Sequence, residues 1–371
     1  MMAGATIRSL FASNRRIERP IEKVIDYAAT DEQRLLAEIS EYEVTASVER
    51  NFQRFLDAFD TGVRTGQVTE TGIWVSGFYG SGKSSFTKYL GFALDPNRRV
   101  GGRAFLDLLA ERIGAVPAAQ HLRTLASQEP VAVVMLDLGA EQLVSSTVTA
   151  ITTVLYWKVL QQAGYSKEEK LAQLEFRLDK DGRLDEFRRA YSEQFGRAWE
   201  DVHNNPLVGV AHADQLVPRF YPQEYAKAGD FRSLRFSMVE SVRDLAATML
   251  DLIRRKTGYQ NVLFLVDEAG QYVAPRGELI LNLDGLARNL KELGQGRAWL
   301  VATGQQTLSE IVERAAYVPP SASFKTCSLT RLRPCRWARP CWPISQSAAL
   351  PASTVFTTHC APTSPKSFPM R

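Results

Sequence analysis

The stretch IWVSGFYGSGKSSF, residues 73–86, changes character twice along its length. A short β-rich run at residues 73–76 leads into a glycine-rich segment. A helix is then expected to begin near Lys83, because Phe86, Tyr89, Leu90 and Ala93 give the following residues one apolar face. Residues 77–84 match the pattern G-x-x-x-x-G-K-[ST] at every defined position. A strand, a glycine loop and a helix in this order predict a phosphate-binding loop.

Each residue type in this loop has a physical role toward a phosphate group. Glycine tolerates positive φ, so successive N–H groups can turn inward around an anion, and the start of a helix adds the positive end of its dipole. Lys83 would reach the β- and γ-phosphates of ATP, and the Ser84 hydroxyl would bind Mg²⁺. The alternative is an ordinary glycine-rich turn, which the specificity of the motif disfavours. The predicted nucleotide-binding residues are Gly77, Phe78, Tyr79, Gly80, Ser81, Gly82, Lys83, Ser84 and Ser85.

Two later apolar runs end in polar residues, as the buried strands of a parallel sheet would. Residues 261–268, NVLFLVDE, end in Asp267 and Glu268, which we expect to hold the water ligands of Mg²⁺ and to orient the attacking water, respectively. Residues 298–302, AWLVA, lead into a polar tip where Thr303 and Gln305 are candidate sensors of the γ-phosphate. Each signal is weak alone, and their order along the chain makes them strong together.

The chain is therefore predicted to be an α/β protein with a parallel sheet flanked by helices. Residues 1–68 form a helical N-terminal segment, in which Thr30 and Gln33 are predicted to make a capping box for a helix through about Tyr42. Residues 69–317 form the core, with a strand at residues 131–138 and a helical insertion at about 165–235. His203 and His212 in the insertion lack partners at metal-ligand spacing and are interpreted as structural or surface residues.

The composition is that of a soluble protein, with 45% hydrophobic and 23% charged residues. No apolar run has the length of a membrane helix, and no secretory leader is recognisable, so we expect a cytoplasmic protein without membrane contact. The net charge of +4 hides an asymmetry, because eight of the 45 basic residues and none of the 41 acidic residues follow position 313. Residues 1–313 therefore carry 37 basic and 41 acidic residues, a net charge of −4.

Residues 318–371 have a different composition from the rest of the chain. They contain all four cysteines and nine of the 17 prolines, and they show no amphipathic periodicity. We favour the interpretation that this tail is disordered or read out of frame. A basic nucleic-acid-binding arm is one alternative. A metal site is another, using Cys335, Cys341, His359 and Cys360, although their spacings fit no standard zinc module.

From about residue 7 to residue 317 the sequence resembles a known family. The N-terminal stretch RRIERPIEKVIDYAATDEQRLLAEISEYEVTASVERNFQRFLDAFDTG, the loop IWVSGFYGSGKSSFTKYLGFAL, and the later stretches VLFLVDEAGQY and WLVATGQQTL resemble the large P-loop ATPases of bacterial BREX phage-defence systems, the BrxC/PglY type. The resemblance implies an AAA+-like fold of the additional-strand class. It also implies ATP hydrolysis as a switch or motor in anti-phage defence.

The resemblance also implies partners. These are other BREX-type proteins, including a DNA methyltransferase, with DNA contacted directly or indirectly, and AAA+ relatives suggest a homo-oligomer.

Members of the family are much longer, so the chain resembles only their opening portion. The strand that lies beside the P-loop strand in such proteins would follow Tyr317, where the resemblance ends. We therefore expect residues 73–76 to form an exposed sheet edge and the lid to be missing. Arg314 is a candidate arginine finger, although a surface arginine is the favoured interpretation.

Other functions remain open at this point. The main alternative to an ATPase is a truncated fragment that binds nucleotide without hydrolysing it. A small-molecule P-loop kinase fits the sequence less well, because such enzymes rarely carry a glutamate such as Glu268 directly after the metal-binding aspartate. A GTPase is disfavoured by the lack of an Asn-Lys-x-Asp motif, and a transporter ATPase by the lack of an LSGGQ-like signature.

Overall fold

A computed structural model describes residues 31–114, 116–140, 149–233, 240–314 and 324–328. Helices and strands alternate through the core, as the apolar runs predict. The strands are β1 Gly72–Ser76, β2 Arg99–Val100, β3 Arg103–Ala104, β4 Val131–Asp137, β5 Asn261–Asp267, β6 Ala298–Gly304 and β7 Phe324–Ser328.

The helices lie between these strands and in the insertion. They are α1 Glu32–Ser40, α2 Ala46–Thr65, α3 Lys83–Leu94, α4 Phe105–Ile113, α5 Val116–Gln128, α6 Ile151–Gln162, α7 Glu169–Lys180, α8 Leu184–Phe195, α9 Pro206–Phe220, α10 Asp230–Ser233, α11 Val242–Thr257, α12 Ala269–Val273, α13 Gly277–Gly294 and α14 Leu308–Arg314.

The main sheet has five strands in the order β4-β5-β6-β1-β7, and every neighbouring pair is parallel. Because parallel strands share a direction, their carboxyl ends meet at one edge of the sheet. The register puts Asp137 opposite Asp267 at this edge, and Ser76 opposite Gly304. The residues that follow β1, β4, β5 and β6 are thereby brought together. The architecture is a mixed α/β fold compatible with Rossmann-like and P-loop-like folds.

The expectation that residues 73–76 form an exposed edge was wrong. Strand β7 pairs with β1 in parallel register, with Gly72 opposite Phe324 and Ser76 opposite Ser328. The pairing supplies hydrogen-bond partners to the second side of β1. Five residues of the segment interpreted as out of frame thus complete the sheet. The remainder of that segment, and any lid, lie outside the described residues.

Helices cover both faces of the sheet, and alternate strand residues point into two separate cores. In β5, Val262, Phe264 and Val266 belong to the core shared with α6–α9, α11 and α13, whereas Leu263 and Leu265 face the core shared with α1–α5. All seven residues of β5 and of β6 are buried. Burial on both faces explains why these strands read as continuous apolar runs rather than as alternating patterns.

Helix α2 packs directly on the main sheet, whereas α1 packs against α3 and α4. In α2, Phe55 and Phe59 are buried against Trp299 of β6, and Thr45 caps the helix by accepting a hydrogen bond from the Val48 N–H. Helix α1 begins one residue later than a Thr30 cap requires. Its N-cap is Asp31, whose carboxylate accepts from the Arg34 N–H, so the predicted capping box is wrong in its first residue. Carboxylates are strong N-caps, and Asp31 therefore fills the role directly.

Within the insertion the described residues form helices α7 to α10 and a 3-10 turn at Trp199–Asp201, joined by turns and loops, as predicted. A buried carboxylate of α7, Glu175, accepts hydrogen bonds from the Ser166 N–H at 2.5 Å and the Trp199 Nε1–H at 2.5 Å, and it also contacts His203 Nδ1 at 2.9 Å. His212 stacks on Phe195 with ring centroids 4.1 Å apart. Both histidines thus take part in packing contacts within the insertion.

Between β3 and β4 the chain forms two helices, α4 and α5, rather than one, because Gly114 ends α4 with a positive φ of 67°. Within the described part of the chain, no helix is both long and apolar enough to cross a membrane.

Candidate functional site

A cleft opens at the carboxyl edge of the sheet, where the loops after β1, β4, β5 and β6 converge. Its volume is about 360 Å³. It is lined by Tyr79, Gly80, Gly82, Lys83, Ser84, Ser85, Asp137, Asp267, Glu268, Gln271, Thr303, Gly304 and Gln305. Ligands of open α/β sheets bind at this edge as a rule, because backbone N–H groups and loop side chains converge there.

The glycine loop between β1 and α3 adopts the conformation that its sequence predicts. Gly80 and Gly82 have φ values of 77° and 86°, which residues with a side chain rarely adopt. Gly82 is the N-cap of α3, and as a glycine it offers no side-chain acceptor to the N–H groups of the first helical turn. A helix N-terminus that follows a glycine loop is a favourable site for an anion, because its N–H groups and the positive end of the helix dipole attract negative charge.

Lys83, the first residue of α3, folds back over the loop. Its Nζ donates to the carbonyl oxygens of Gly77 at 2.8 Å and Phe78 at 3.0 Å. Burial lowers the pKa of the Lys83 ammonium, while the negative charges of Asp267 and Glu268 oppose that shift. The lysine thus lies between the loop and the acidic pair, held by weak carbonyl acceptors that a phosphate oxygen can replace.

A single hydroxyl joins the two acidic residues. Thr303, at the end of β6 and almost fully buried, donates its O–H to the Asp267 carboxylate and accepts the Glu268 N–H at 3.0 Å. Asp267 is itself buried at the end of β5. The hydroxyl of Thr303 therefore fixes the carboxylate of one acidic residue and the backbone of the other.

Glu268 has an unusual backbone conformation. Its φ is 56°, in the left-handed region, which costs a residue with a side chain about 1–3 kcal/mol. The conformation turns the chain sharply from β5 into α12. A methyl group placed on Gly139 would come within 2.8 Å of Glu268 Oε2, so the carboxylate lies directly over the loop after β4. Backbone strain of this kind is characteristic of functional sites.

The pKa of the Glu268 carboxyl is also perturbed. Burial raises the pKa of this carboxyl above its ordinary value, the charges of Asp267 and then Asp137 raise it further, and Lys83 lowers it. A half-buried carboxylate with a raised pKa in a cleft is a candidate for catalysis, since functional groups are commonly tuned in this way. The predicted role of Glu268 in orienting a water molecule is consistent with this environment.

Three lining residues, Asp137, Gln271 and Gly304, were not predicted from the sequence. Asp137 ends β4 beside Asp267, and its Oδ1 accepts the N–H groups of Gly139 at 2.9 Å and Ala140 at 3.2 Å. Gln271, exposed on α12, follows Glu268 by one helical turn. The position of Asp137 after an apolar run was a signal equivalent to that of Asp267, but only the register shows that the two strands are neighbours.

The two sensor candidates occupy different environments. Thr303 is buried with its hydroxyl bound to the acidic pair, whereas Gln305 is exposed and lines the cleft. In the loop, Phe78 and Tyr79 are 75% and 77% exposed, and Tyr79 lines the cleft. Arg314 ends α14, and its side chain lies outside the described part of the structure. The candidate arginine finger therefore stays a prediction.

The donor set fits magnesium bound with a nucleotide better than a resident metal ion. The described residues contain no group of three or more His, Cys, Asp or Glu side chains able to hold a metal. Mg²⁺ typically takes one or two protein ligands and completes its shell with phosphate oxygens and water. Ser84 beside the loop and the buried Asp267 across the cleft fit that pattern. The Ser81 hydroxyl in the loop is buried without a hydrogen-bond partner in the described structure.

Comparisons with known proteins give no further assignment. No protein-family model matches the sequence, and no solved structure matches the chain. The functional interpretation therefore depends on the geometry of the cleft.

Proposed function

We propose that the protein binds MgATP in this cleft and hydrolyses it, as a P-loop ATPase of the AAA+-like, additional-strand class. The observation that carries the proposal is the convergence of three separate segments: the glycine loop with Lys83, the acidic pair Asp267–Glu268, and the polar tip of β6 at Thr303 all line one cleft. Each segment carries one part of the chemistry that phosphoryl transfer requires.

The roles follow from charge and position. The N–H groups of the loop and the first turn of α3 would hold the phosphates, with the Lys83 ammonium on the β- and γ-phosphate oxygens. Ser84 would bind magnesium directly and Asp267 through water. The bound magnesium would neutralise negative charge on the phosphates.

Hydrolysis also needs a positioned water molecule, because the reaction depends on in-line attack more than on covalent help from the protein. Glu268 would accept a hydrogen bond from that water at the phosphate end of the cleft. Thr303 accepts the Glu268 N–H, which fixes the backbone of Glu268, and Gln305 lines the cleft, where it would contact the γ-phosphate. Nucleotide binding and release would then drive a two-state switch.

A second candidate function is nucleotide binding with little hydrolysis by the isolated chain. Lys83 is the one basic side chain among the described residues that line the cleft. Many phosphoryl-transfer enzymes use an additional arginine to stabilise the transition state, supplied by the same chain or by a partner. The chain would then be a nucleotide-dependent binding module, which matches the interpretation as a catalytically inactive fragment.

The biological setting is proposed from the sequence resemblance to BREX-type ATPases. In that setting the protein acts in anti-phage defence in the bacterial cytoplasm, with other BREX-type proteins, including a DNA methyltransferase, as partners, and with DNA contacted directly or through them. The resemblance in the loop and in the two later strands supports this part of the proposal. Self-association around bound nucleotide belongs to the same setting.

The decisive experiment is a steady-state phosphate-release assay paired with calorimetric measurement of MgATP binding. Lys83→Ala is expected to abolish binding and turnover, whereas Glu268→Gln should retain binding and lose at least about 100-fold in turnover, as loss of a catalytic group does. Glu278→Gln, an exposed carboxylate on α13, is the matched control. Binding without turnover in the parent supports the second candidate function, and no binding at all contradicts both.

A further inference from the structure

Trp74 lies under the cleft and contacts several of the segments that form it. It is the third residue of β1, three positions before the glycine loop begins, and its side chain is fully buried. It does not line the cleft, and no motif includes it. Its contacts nevertheless connect the strand that leads into the loop with the turn after β6 and the start of α12.

The first contact is a hydrogen bond. The indole Nε1–H of Trp74 donates to the carbonyl oxygen of Gln306 at 2.9 Å. Gln306 directly follows Gln305, so this bond anchors the turn that carries the exposed amide in the cleft. The bond joins residues 232 positions apart in the chain, and a partly buried bond of this kind is costly to remove.

The second set of contacts is steric. A methyl group on Gly304 would lie 2.4 Å from Trp74 Cζ2, so the indole packs directly against the backbone after Thr303. A methyl group on Gly270, two residues after Glu268, would lie 2.7 Å from the Gly304 Cα and 3.3 Å from Trp74 Cζ2. The two glycines therefore lie directly against each other, and the indole ring packs beside both of them.

The third contact reaches the strand that completes the sheet. Phe324 of β7 meets the Trp74 ring edge to face, with ring centroids 6.2 Å apart and an interplanar angle of 88°. The aromatic pair lies at the start of β7. The indole thus touches four parts of the molecule: β7, its own strand β1, the turn after β6 and the start of α12.

We infer that Trp74 is a positioning residue, which sets the placement of Gln305 and Glu268 relative to a nucleotide in the cleft. This inference rests on the proposed ATP hydrolysis. Its physical basis is that misplacement of a catalytic group by about 1 Å costs up to about 100-fold in rate, even when substrate binding is retained. Trp74 acts through the Gln306 carbonyl and the two glycines, and it does not touch the substrate.

Trp299 offers a matched control within the same sheet. It is also fully buried, and its Nε1–H donates to the Gly296 carbonyl at 2.8 Å. Its ring lies in the other core, against Phe55 and Phe59, near the amino end of β6 and away from the carboxyl edge. Replacing either tryptophan by phenylalanine removes the same kind of hydrogen bond and a similar volume.

The test compares Trp74→Phe with Trp299→Phe in the full chain, using kcat and KM for MgATP. Trp74→Phe should lower kcat at least about tenfold with KM within about twofold of the parent, the pattern of a lost transition-state interaction. Trp299→Phe should leave both constants within about twofold. Equal losses in the two variants, or a Trp74→Phe effect on KM alone, would overturn the inference. Turnover unaffected by Trp74→Phe would overturn it too.

A second variant keeps the test informative if Trp74→Phe folds poorly. Gly304→Ala places a methyl group against the indole and should lower kcat. In a Trp74→Phe background the ring is smaller, so the same substitution should lower kcat by a smaller factor. Additive effects of the two changes would contradict the inference. If the parent chain binds and hydrolyses MgATP and Trp74→Phe leaves kcat unchanged, this inference fails and the proposed function stands. A parent that neither binds nor hydrolyses ATP defeats the proposed function and the inference together.

Discussion

At the scale of single residues, the site depends on a few polar contacts at the ends of buried strands. The Thr303 hydroxyl is both donor to Asp267 and acceptor of the Glu268 N–H, so its hydrogen-bonding capacity is used in both directions. Glu268 combines a left-handed backbone with a carboxyl whose pKa is raised mainly by burial. The left-handed backbone and the partly buried carboxyl of Glu268 each cost free energy, and they persist because the surrounding sheet holds them in place.

We predict that Thr303→Val lowers the free energy of unfolding by about 1–3 kcal/mol, because it leaves the buried Asp267 carboxylate and the Glu268 N–H without the hydroxyl. Turnover should fall at least about tenfold. Urea denaturation and phosphate release measure the two effects. Thr303→Ser keeps the hydroxyl and is the control, which should stay close to the parent. Equal loss in the serine and valine variants would show that the methyl group matters more than the hydroxyl.

We predict that Glu268→Gly raises the free energy of unfolding by about 1 kcal/mol relative to Glu268→Gln, while both lose turnover. Glycine removes the cost of the left-handed φ, whereas glutamine keeps it and removes only the charge. Comparison of the two variants by chemical denaturation therefore isolates the backbone contribution. A glycine variant less stable than the glutamine variant would mean that side-chain contacts of residue 268 outweigh its backbone strain.

At the scale of elements, helix α1 is fastened to the helix that follows the glycine loop. Lys88 of α3 is fully buried and pairs with Glu38 of α1 at 3.0 Å, and its ammonium lies 5.6 Å from the centre of the Phe92 ring. Tyr42 and Tyr89 meet edge to face near this pair. Residues predicted as a separate N-terminal segment therefore share a core with the glycine-loop helix.

We predict that Glu38→Ala lowers the free energy of unfolding by about 3 kcal/mol, because it removes a carboxylate that faces a buried ammonium. The double variant Glu38→Ala with Lys88→Met should recover much of that loss, since it removes the buried ammonium together with the carboxylate. Denaturation in urea measures all three chains. If the double variant is no more stable than the single one, packing rather than charge holds α1 in place.

At the scale of the whole molecule, the sheet is completed by a strand that lies far in sequence from β1, the strand with which it pairs. Strand β7 covers the side of β1 that would otherwise expose unpaired N–H and C=O groups. The local composition around residues 324–328 gave no sign of this role. Tertiary pairing determined it, since a short strand is stabilised by the neighbour to which it bonds.

We predict that a chain ending at residue 317 associates with itself in a concentration-dependent way, because β1 then becomes an open sheet edge. A chain ending at residue 331 retains β7 and is the control, which should associate less at every concentration. Size-exclusion chromatography with light scattering measures the difference. Identical behaviour of the two chains would mean that β7 does not protect β1 in solution.

The sequence by itself determined the local parts of this protein. The glycine loop, the start of α3 at Lys83 and the buried strands before Asp137 and Asp267 were predictable, because backbone conformation and burial leave a signature in neighbouring residues. Only the tertiary structure decided which strand ends meet. Asp137 joins Asp267, Thr303 links the acidic pair, Trp74 supports the turn after β6, and β7 closes the sheet. These are contacts between residues far apart in the chain, and they depend on the order in which the strands lie beside one another, which no local pattern specifies.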